Sequence, residues 1–477
     1  MSVPMHNFKV VLLLAAVSAS FLLNSCGQKY DSNNFQAYFG GEISNPTKRF
    51  VLFCKDNEVL DTIYLKDDNT FFKEFDSLKP GIYTFRHDPE YQYVYFDKND
   101  SLMVNINTRD FDESIVFCGR GDRKNNFLME LYLLNEKAND DLYPMFDQDP
   151  QTYITHIDSA YRTTKQFYNR HKDKIEWGEG FDLYAKAMVD FNYYTTKEIY
   201  PRIHHIRTGK KVNLPADFYN YRNEIDFNDA ALAGYSPFLT YLSHLLTNLA
   251  AVPASGELNQ VDLALQTSIR KLHIADTLLK SPKIKNTILN SIAFGYLLED
   301  QHIVNNQTFL DSYMKFSTDQ TSKNEITEIG RAVNALRPGQ PLPSAGLITI
   351  DGKAIDSDEV INGQETVFFF WTENMHSHFL LASKRALAIK SAFPNLRIVA
   401  VNLDSDSEKW RKTLQNYNVP DVIQVQAANY SDISKKWALI KIHRTIVVTK
   451  NGTIKEAFTN LFDAHFEQVL RGNGDIQ

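Results

Sequence analysis

At 477 residues with a hydrophobic fraction of 43%, the chain is long enough for about two to four domains, and its composition excludes a chiefly disordered protein. A net charge of −7, with no Lys/Arg block above the background, excludes a nucleic-acid groove. The partner expected is a protein, a glycan or a small molecule.

The first element along the chain is a targeting segment. His6 and Lys9 make a weakly basic start, and Val10 to Leu23 is apolar except for Ser18 and Ser20, too short to span a bilayer as a mature helix. It runs into Leu23-Asn24-Ser25-Cys26-Gly27, which is similar to a bacterial lipoprotein signal. That similarity implies a signal peptide over residues 1–25, a lipidated N-terminus at Cys26 and a polar tether over 26–34. It also implies a cell-envelope location, anchored to the outer membrane on its periplasmic side or at the cell surface. Several acyl tails, each buried CH₂ contributing about 0.8 kcal/mol, would make such an anchor stable.

Residues 35–118 read as strands and turns. The candidate strands are Phe35–Ile43, Arg49–Lys55, Glu58–Leu65, Thr70–Phe75, Gly81–His87, Tyr91–Phe96, Ser101–Ile106 and Ser114–Cys118. Turn signals such as Asp67-Asp68-Asn69 and Lys79-Pro80-Gly81 separate them. Short strands at this spacing predict an antiparallel β-sandwich-like domain. Cys54 and Cys118 fall near the ends of two of these strands, where either a disulfide or two separately buried thiols fits. Neither opens a helix, so neither is assigned a catalytic role.

From residue 119 to 335 the period becomes helical, with Phe127, Leu128, Leu131 and Leu134 and then Leu239, Leu242, Leu245 and Leu246 at steps of three and four. A helical domain is expected. The His204-His205 pair within it reads as solvated surface, since adjacent residues do not share a helix face. Arg337-Pro338-Gly339-Gln340-Pro341-Leu342-Pro343 reads as a rigid linker.

Beyond it, strands are expected at Leu347–Ile350, Lys353–Ile355, Thr366–Trp371, Arg397–Leu403, Thr445–Thr449 and Ile454–Phe458. Helices are expected at Ser377–Phe393 and Glu408–Tyr417 and from about Asp463. This is a βαβ unit followed by a hairpin and a closing helix. Together the three regions make a multidomain α+β protein with a C-terminal α/β domain over 336–477.

This last region resembles the TlpA-like branch of the thioredoxin family. The resemblance rests on the Pro338-Gly339-Gln340-Pro341-Leu342-Pro343 lead-in, the Asp351-Gly352-Lys353 hairpin and Phe370-Trp371 before a strand-to-helix turn. It rests also on Val399-Ala400-Val401-Asn402-Leu403-Asp404 followed by Trp410, and on the late Lys450-Asn451-Gly452 turn. Family membership implies thiol–disulfide exchange, which needs a thiolate at a helix N-terminus and a resolving cysteine three residues later. Counting from Trp371 puts Met375 and His378 at those positions, and counting back from Asn451-Gly452 puts His443 where the family carries a cis-proline. Neither Met nor His can make a disulfide, and a cis bond at a non-proline residue costs about 3 kcal/mol, so a trans loop is expected.

The expectation is therefore a lipid-anchored envelope protein whose thioredoxin-like domain has lost redox chemistry and acts as a binding or scaffolding module, with no cofactor. The alternative is a thiol–disulfide oxidoreductase or antioxidant protein, as the resemblance implies. A second alternative is Cu or Zn binding by Met375, His376, His378 and His443, soft or imidazole donors near one turn. No nucleophile elbow, phosphate loop, zinc-protease or EF-hand motif is present. Asp404 and Asp406 read as turn residues.

Overall fold

The computed structural model describes residues 35–56, 58–251, 260–298, 305–417, 419–439, 441–463 and 465–472. The proposed signal peptide, Cys26 and the tether up to residue 34 lie outside them. No helix among the described residues is long and apolar enough to cross a membrane. The chain forms two compact units. One runs to Tyr221 and takes in Gly234–Tyr241; the other comprises Arg222–Ala233 and the chain from Leu242 onward.

In the first unit, eight strands form two four-stranded sheets. They are β1 (Ala37–Ser44), β2 (Phe50–Lys55), β3 (Glu58–Tyr64), β4 (Thr70–Phe75), β5 (Gly81–His87), β6 (Glu90–Phe96), β7 (Ser101–Asn107) and β8 (Val116–Arg120). The strand orders are β4-β1-β7-β8 and β3-β2-β5-β6. Alternate side chains of both sheets fill one core. At its centre Phe39 on β1 lies with its ring centroid 5.4 to 5.9 Å from those of Phe53, Phe71, Phe85 and Phe96. The sandwich is not wholly antiparallel, because β1 and β7 pair in parallel. These two strands are far apart in sequence, so no hairpin dictates their direction.

Cys54 on β2 and Cys118 on β8 are both free thiols, the first buried and the second exposed. The disulfide left open by their spacing is absent, because the Cys54 thiol is buried on β2 whereas Cys118 is exposed on β8, an edge strand of the other sheet. The alternative of two buried thiols fails for Cys118 alone.

Each sheet ends on an edge strand whose free backbone groups need partners. The helix Asp122–Leu142 supplies them with two consecutive asparagines. Asn125 accepts from Tyr95 N at 2.7 Å and donates to Tyr95 O at 2.9 Å on β6. Asn126 makes the same reciprocal pair with Phe117 on β8, both at 2.8 Å. Two long helices, Pro150–Ile175 and Glu179–Thr208, follow. His204 is buried on the second and shares a 2.9 Å hydrogen bond with Phe146 O, so the expected solvated pair is half wrong; His205 is exposed.

In the second unit, helices Pro282–Leu298, Asn306–Phe316 and Gln320–Ala335 meet at Asn290, which accepts from the Tyr313 hydroxyl and donates to Ser322 Oγ at 2.6 Å. A seven-stranded sheet follows. Its strands are β9 (Gly346–Thr349), β10 (Ala354–Asp356), β11 (Thr366–Trp371), β12 (Arg397–Asn402), β13 (Ile423–Ala427), β14 (Arg444–Val448) and β15 (Ile454–Asn460). The order is β10-β9-β13-β12-β11-β14-β15, with β11, β12 and β13 parallel. Strand β13 and the short helices Ser357–Ile361 and Tyr430–Lys436 were not expected from the sequence. The proline-rich segment 337–343 is docked rather than free. Gly339 N donates to Ile454 O at 2.7 Å, Leu342 N to Gly452 O at 2.9 Å, and Trp437 Nε1 to Pro343 O at 2.7 Å.

Two outcomes test the first unit. Asn125→Ala leaves the N–H and C=O of buried Tyr95 without partners and is expected to cost about 3 kcal/mol in denaturant unfolding. His87 is buried, donates through Nδ1 to Phe50 O at 3.1 Å and accepts at Nε2 from Thr47 N at 2.9 Å, which requires a neutral ring. Burial pushes its pKa down from the ordinary value of 6.5, against the raising effect of the Phe50 hydrogen bond. Its contribution is therefore complete above about pH 6.5 and is lost as pH falls through that value toward the lower folded one. Unfolding curves at neutral and mildly acidic pH should show that loss in the native chain and a smaller one in His87→Gln.

Candidate functional site

The turn after β11 is built on an entirely buried strand, Thr366–Trp371, and Trp371 stacks on Phe379 with centroids 4.0 Å apart. That stack fixes where the following helix, His376–Ala392, leaves the sheet. A single 3₁₀ turn, Glu373–Met375, joins the two. Asp404 holds this turn, accepting from Glu373 N at 2.8 Å and from Asn402 Nδ2 at 2.9 Å. Gln426 on β13 donates to the Asp404 carbonyl at 2.8 Å. Asp406 caps the helix Ser407–Asn416 by accepting from Glu408 N and Lys409 N. Both aspartates are thus occupied with backbone groups, and neither is placed for acid–base work.

Met375 stands immediately before the helix, 40% exposed and with no capping hydrogen bond. His378 lies within the first turn, half-buried. The β11–β14 ladder ends at Phe369 and Thr445, and His378 Nε2 donates to the next carbonyl, Phe370 O, at 3.1 Å. Because a carbonyl only accepts, Nε2 carries the proton and Nδ1 keeps its lone pair. That lone pair faces His443 Nδ1 at 3.2 Å, the rings inclined at 78° with centroids 4.6 Å apart. In the neutral pair His443 is the donor. Burial pushes the His378 pKa down and His443 adds to the effect, against the raising influence of the Phe370 hydrogen bond.

The four residues considered as metal donors do not form one set. His376 turns to Tyr417, with ring centroids 4.8 Å apart, whereas His378 and His443 meet. Among the described residues no group of three or more His, Cys, Asp or Glu is placed to hold a metal ion. The peptide bond entering His443 is trans; the cis bond among the described residues is Asp88–Pro89.

Arg444, which the sequence reading passed over, anchors the loop that carries His443. It is buried, donates from Nε to Ala457 O at 2.9 Å and from Nη1 to Trp437 O at 3.0 Å and to Ala438 O, and lies 3.8 Å from the Phe458 ring centroid. Burial pushes its pKa down to about 9, which leaves it a cation at neutral pH. A charged residue immediately before the run Thr445-Ile446-Val447-Val448 was the available signal. Phe462, 48% exposed and with its ring centroid 6.4 Å from that of His378, was also not singled out.

Residues 363–454 match the model of a family described as thioredoxin-like. The C-terminal domain is thioredoxin-like. Among solved structures, the thioredoxin domain of a thiol-disulfide oxidoreductase from Bacteroides vulgatus is 19% identical and covers 29% of this chain and 98% of its own, with a TM-score of 0.26. A thiol:disulfide interchange protein from Bacteroides sp. is 19% identical over 25% of this chain and 80% of its own, with a TM-score of 0.23. A thioredoxin-like protein from Aeropyrum pernix is 18% identical over 27% and 89%, with a TM-score of 0.24. No curated protein matches the chain.

Replacing Arg444 with Met removes the donors for the Trp437, Ala438 and Ala457 carbonyls, and the variant is expected to unfold about 3 kcal/mol more easily in denaturant. Arg444→Lys should recover only part of this, because one ammonium cannot reproduce the planar fork.

Proposed function

We propose that this chain is a lipid-anchored cell-envelope protein whose thioredoxin-like domain is redox-inactive and serves as a binding or scaffolding module. One observation carries the first part of this reading. The helix start that would need two thiols holds Met375 and His378, and His378 is engaged on both ring nitrogens, with Phe370 O and His443. The free thiols of the described residues, Cys54 and Cys118, belong to the other unit. Disulfide exchange proceeds by attack of a thiolate on sulfur through a mixed disulfide, and no side chain at this turn can form that bond.

The binding role is supported by what surrounds the turn. Met375 and Phe462 are 40% and 48% exposed, and Tyr417 beside His376 is 41% exposed. Apolar side chains flank a pair of polar rings, a combination suited to receiving a partner's side chains. The Leu23-Asn24-Ser25-Cys26 segment supports the anchor.

Two assays test this reading. In an insulin-reduction assay the protein should show no turnover above the dithiothreitol background, with and without Cys54→Ser and Cys118→Ser; turnover that survives both substitutions overturns the redox-inactive reading. In cell fractionation, Cys26→Ser should move the protein out of the membrane fraction, whereas a variant that stays membrane-bound removes the lipid anchor.

A further inference from the structure

We propose that His378 and His443 form a two-imidazole site for a divalent transition-metal ion, with Zn(II) the ion whose geometry it fits. In tetrahedral Zn(II) sites the metal–nitrogen bonds are about 2.0–2.1 Å, which places two imidazole nitrogens on one ion about 3.3 Å apart. The two Nδ1 atoms are 3.2 Å apart. The nitrogens therefore keep their separation when an ion displaces the His443 proton; because two such bonds cannot lie end to end within 3.2 Å, the ion sits to one side of the line joining them and each ring turns toward it. The His443 proton moves through solvent from Nδ1 to Nε2, so both imidazoles stay neutral and both Nδ1 lone pairs face the metal.

The surroundings meet the further requirements of such a site. A ligating histidine commonly donates its other ring nitrogen to a carbonyl or carboxylate, which fixes ring and tautomer. His378 does so to Phe370 O at 3.1 Å. The backbone on the other side is held as well, because Arg444, the neighbour of His443, is tied to the carbonyls of Trp437, Ala438 and Ala457. His443 is exposed, which gives an ion a direct path from solvent.

With no group of three or more His, Cys, Asp or Glu here among the described residues, these two imidazoles leave the remaining positions on the ion to water or to a donor from another molecule. Open positions distinguish such a centre from a closed structural zinc site. A partner presenting a carboxylate, imidazole or thiolate could then be held through the metal. The inference concerns the same turn as the binding reading without depending on it. Failure to bind metal overturns this inference alone, and a protein that binds a partner without metal leaves the binding reading standing.

The test uses purified full-length protein, titrated at neutral pH with Co(II) alone and with Zn(II) alone. Co(II) should produce the visible bands of a low-coordinate site, saturating at a single equivalent and lost on adding Zn(II), and calorimetry should give a micromolar Kd for Zn(II). His378→Gln and His443→Gln should each weaken Zn(II) by at least about tenfold, equivalent to about 1.4 kcal/mol. His465→Gln, at an exposed histidine elsewhere, should leave the affinity unchanged. Because His443 is on the surface, its variant should keep the native circular dichroism spectrum, which separates loss of a ligand from loss of fold. Absence of saturable binding shows a hydrogen-bonded pair only, and binding that survives both substitutions places the ion elsewhere; either outcome overturns the proposal.

Discussion

A guanidinium buried at Arg444 is the constraint from which the geometry of the C-terminal site follows. The Glu456 carboxylate acts on it electrostatically, but its hydrogen bonds go elsewhere. Its charge is spread instead over three carbonyl dipoles and the face of Phe458. Those carbonyls come from two places, the segment after the helix Tyr430–Lys436 and the strand β15, so one side chain joins a loop to the sheet edge. Ala438, one of the acceptors, adopts a left-handed backbone with φ of 47° that only a firmly held loop tolerates cheaply. His443 precedes this anchor by one residue. Its backbone is therefore placed by a buried charge, and its ring meets His378 as a consequence.

The first unit solves a related problem by similar means. A sandwich of two four-stranded sheets has edge strands, and an edge left open is both a desolvation cost and a template for aggregation. Asn125 and Asn126 are neighbours on one helix and project toward β6 and β8, the edges of the two different sheets. A primary amide presents its oxygen and one N–H on the same side, as a strand residue presents its own C=O and N–H to a neighbouring strand. Each asparagine thereby extends a ladder by a single rung. Polar side chains standing in for backbone partners thus close the sandwich in one unit and fix the histidine loop in the other.

How far the sequence discloses this depends on the range of the interaction. All eight strands of the sandwich, and β11 residue for residue, were legible because burial of one or both faces writes itself into alternation or continuous apolar runs. Strand β13 was not, because Ile423-Gln424-Val425-Gln426-Ala427 is short and its polar Gln426 is buried through bonds to Asp404 O and Ser407 that no local pattern announces. The parallel pairing of β1 with β7 is a choice of direction between distant segments, invisible to any window. At the site, the spacing from Trp371 located Met375 and His378, and the late turn located His443. Which of the four candidate donors would meet was set by the tilt of the helix on the Trp371–Phe379 stack, and that is a packing result. Arg444 stood out only as a charge at the start of an apolar strand, and its partners gave no further sign, since carbonyl acceptors carry no side-chain signature.

Stability does not account for Met375. A Ser, Thr, Asp or Asn at the residue preceding a helix accepts from free N–H groups of the first turn and is worth about 1 kcal/mol over a residue that cannot. Methionine forgoes that bond, and at 40% exposure it gains only part of the burial that would offset the loss. The same turn is otherwise secured at every point, by Asp404 on Glu373, by Trp371 on Phe379 and by Phe370 O on His378. Met375 is thus a flexible, polarizable side chain on a turn whose neighbours are held in place. The thioredoxin-like frame holds its strand-to-helix turn where Met375 and His378 stand.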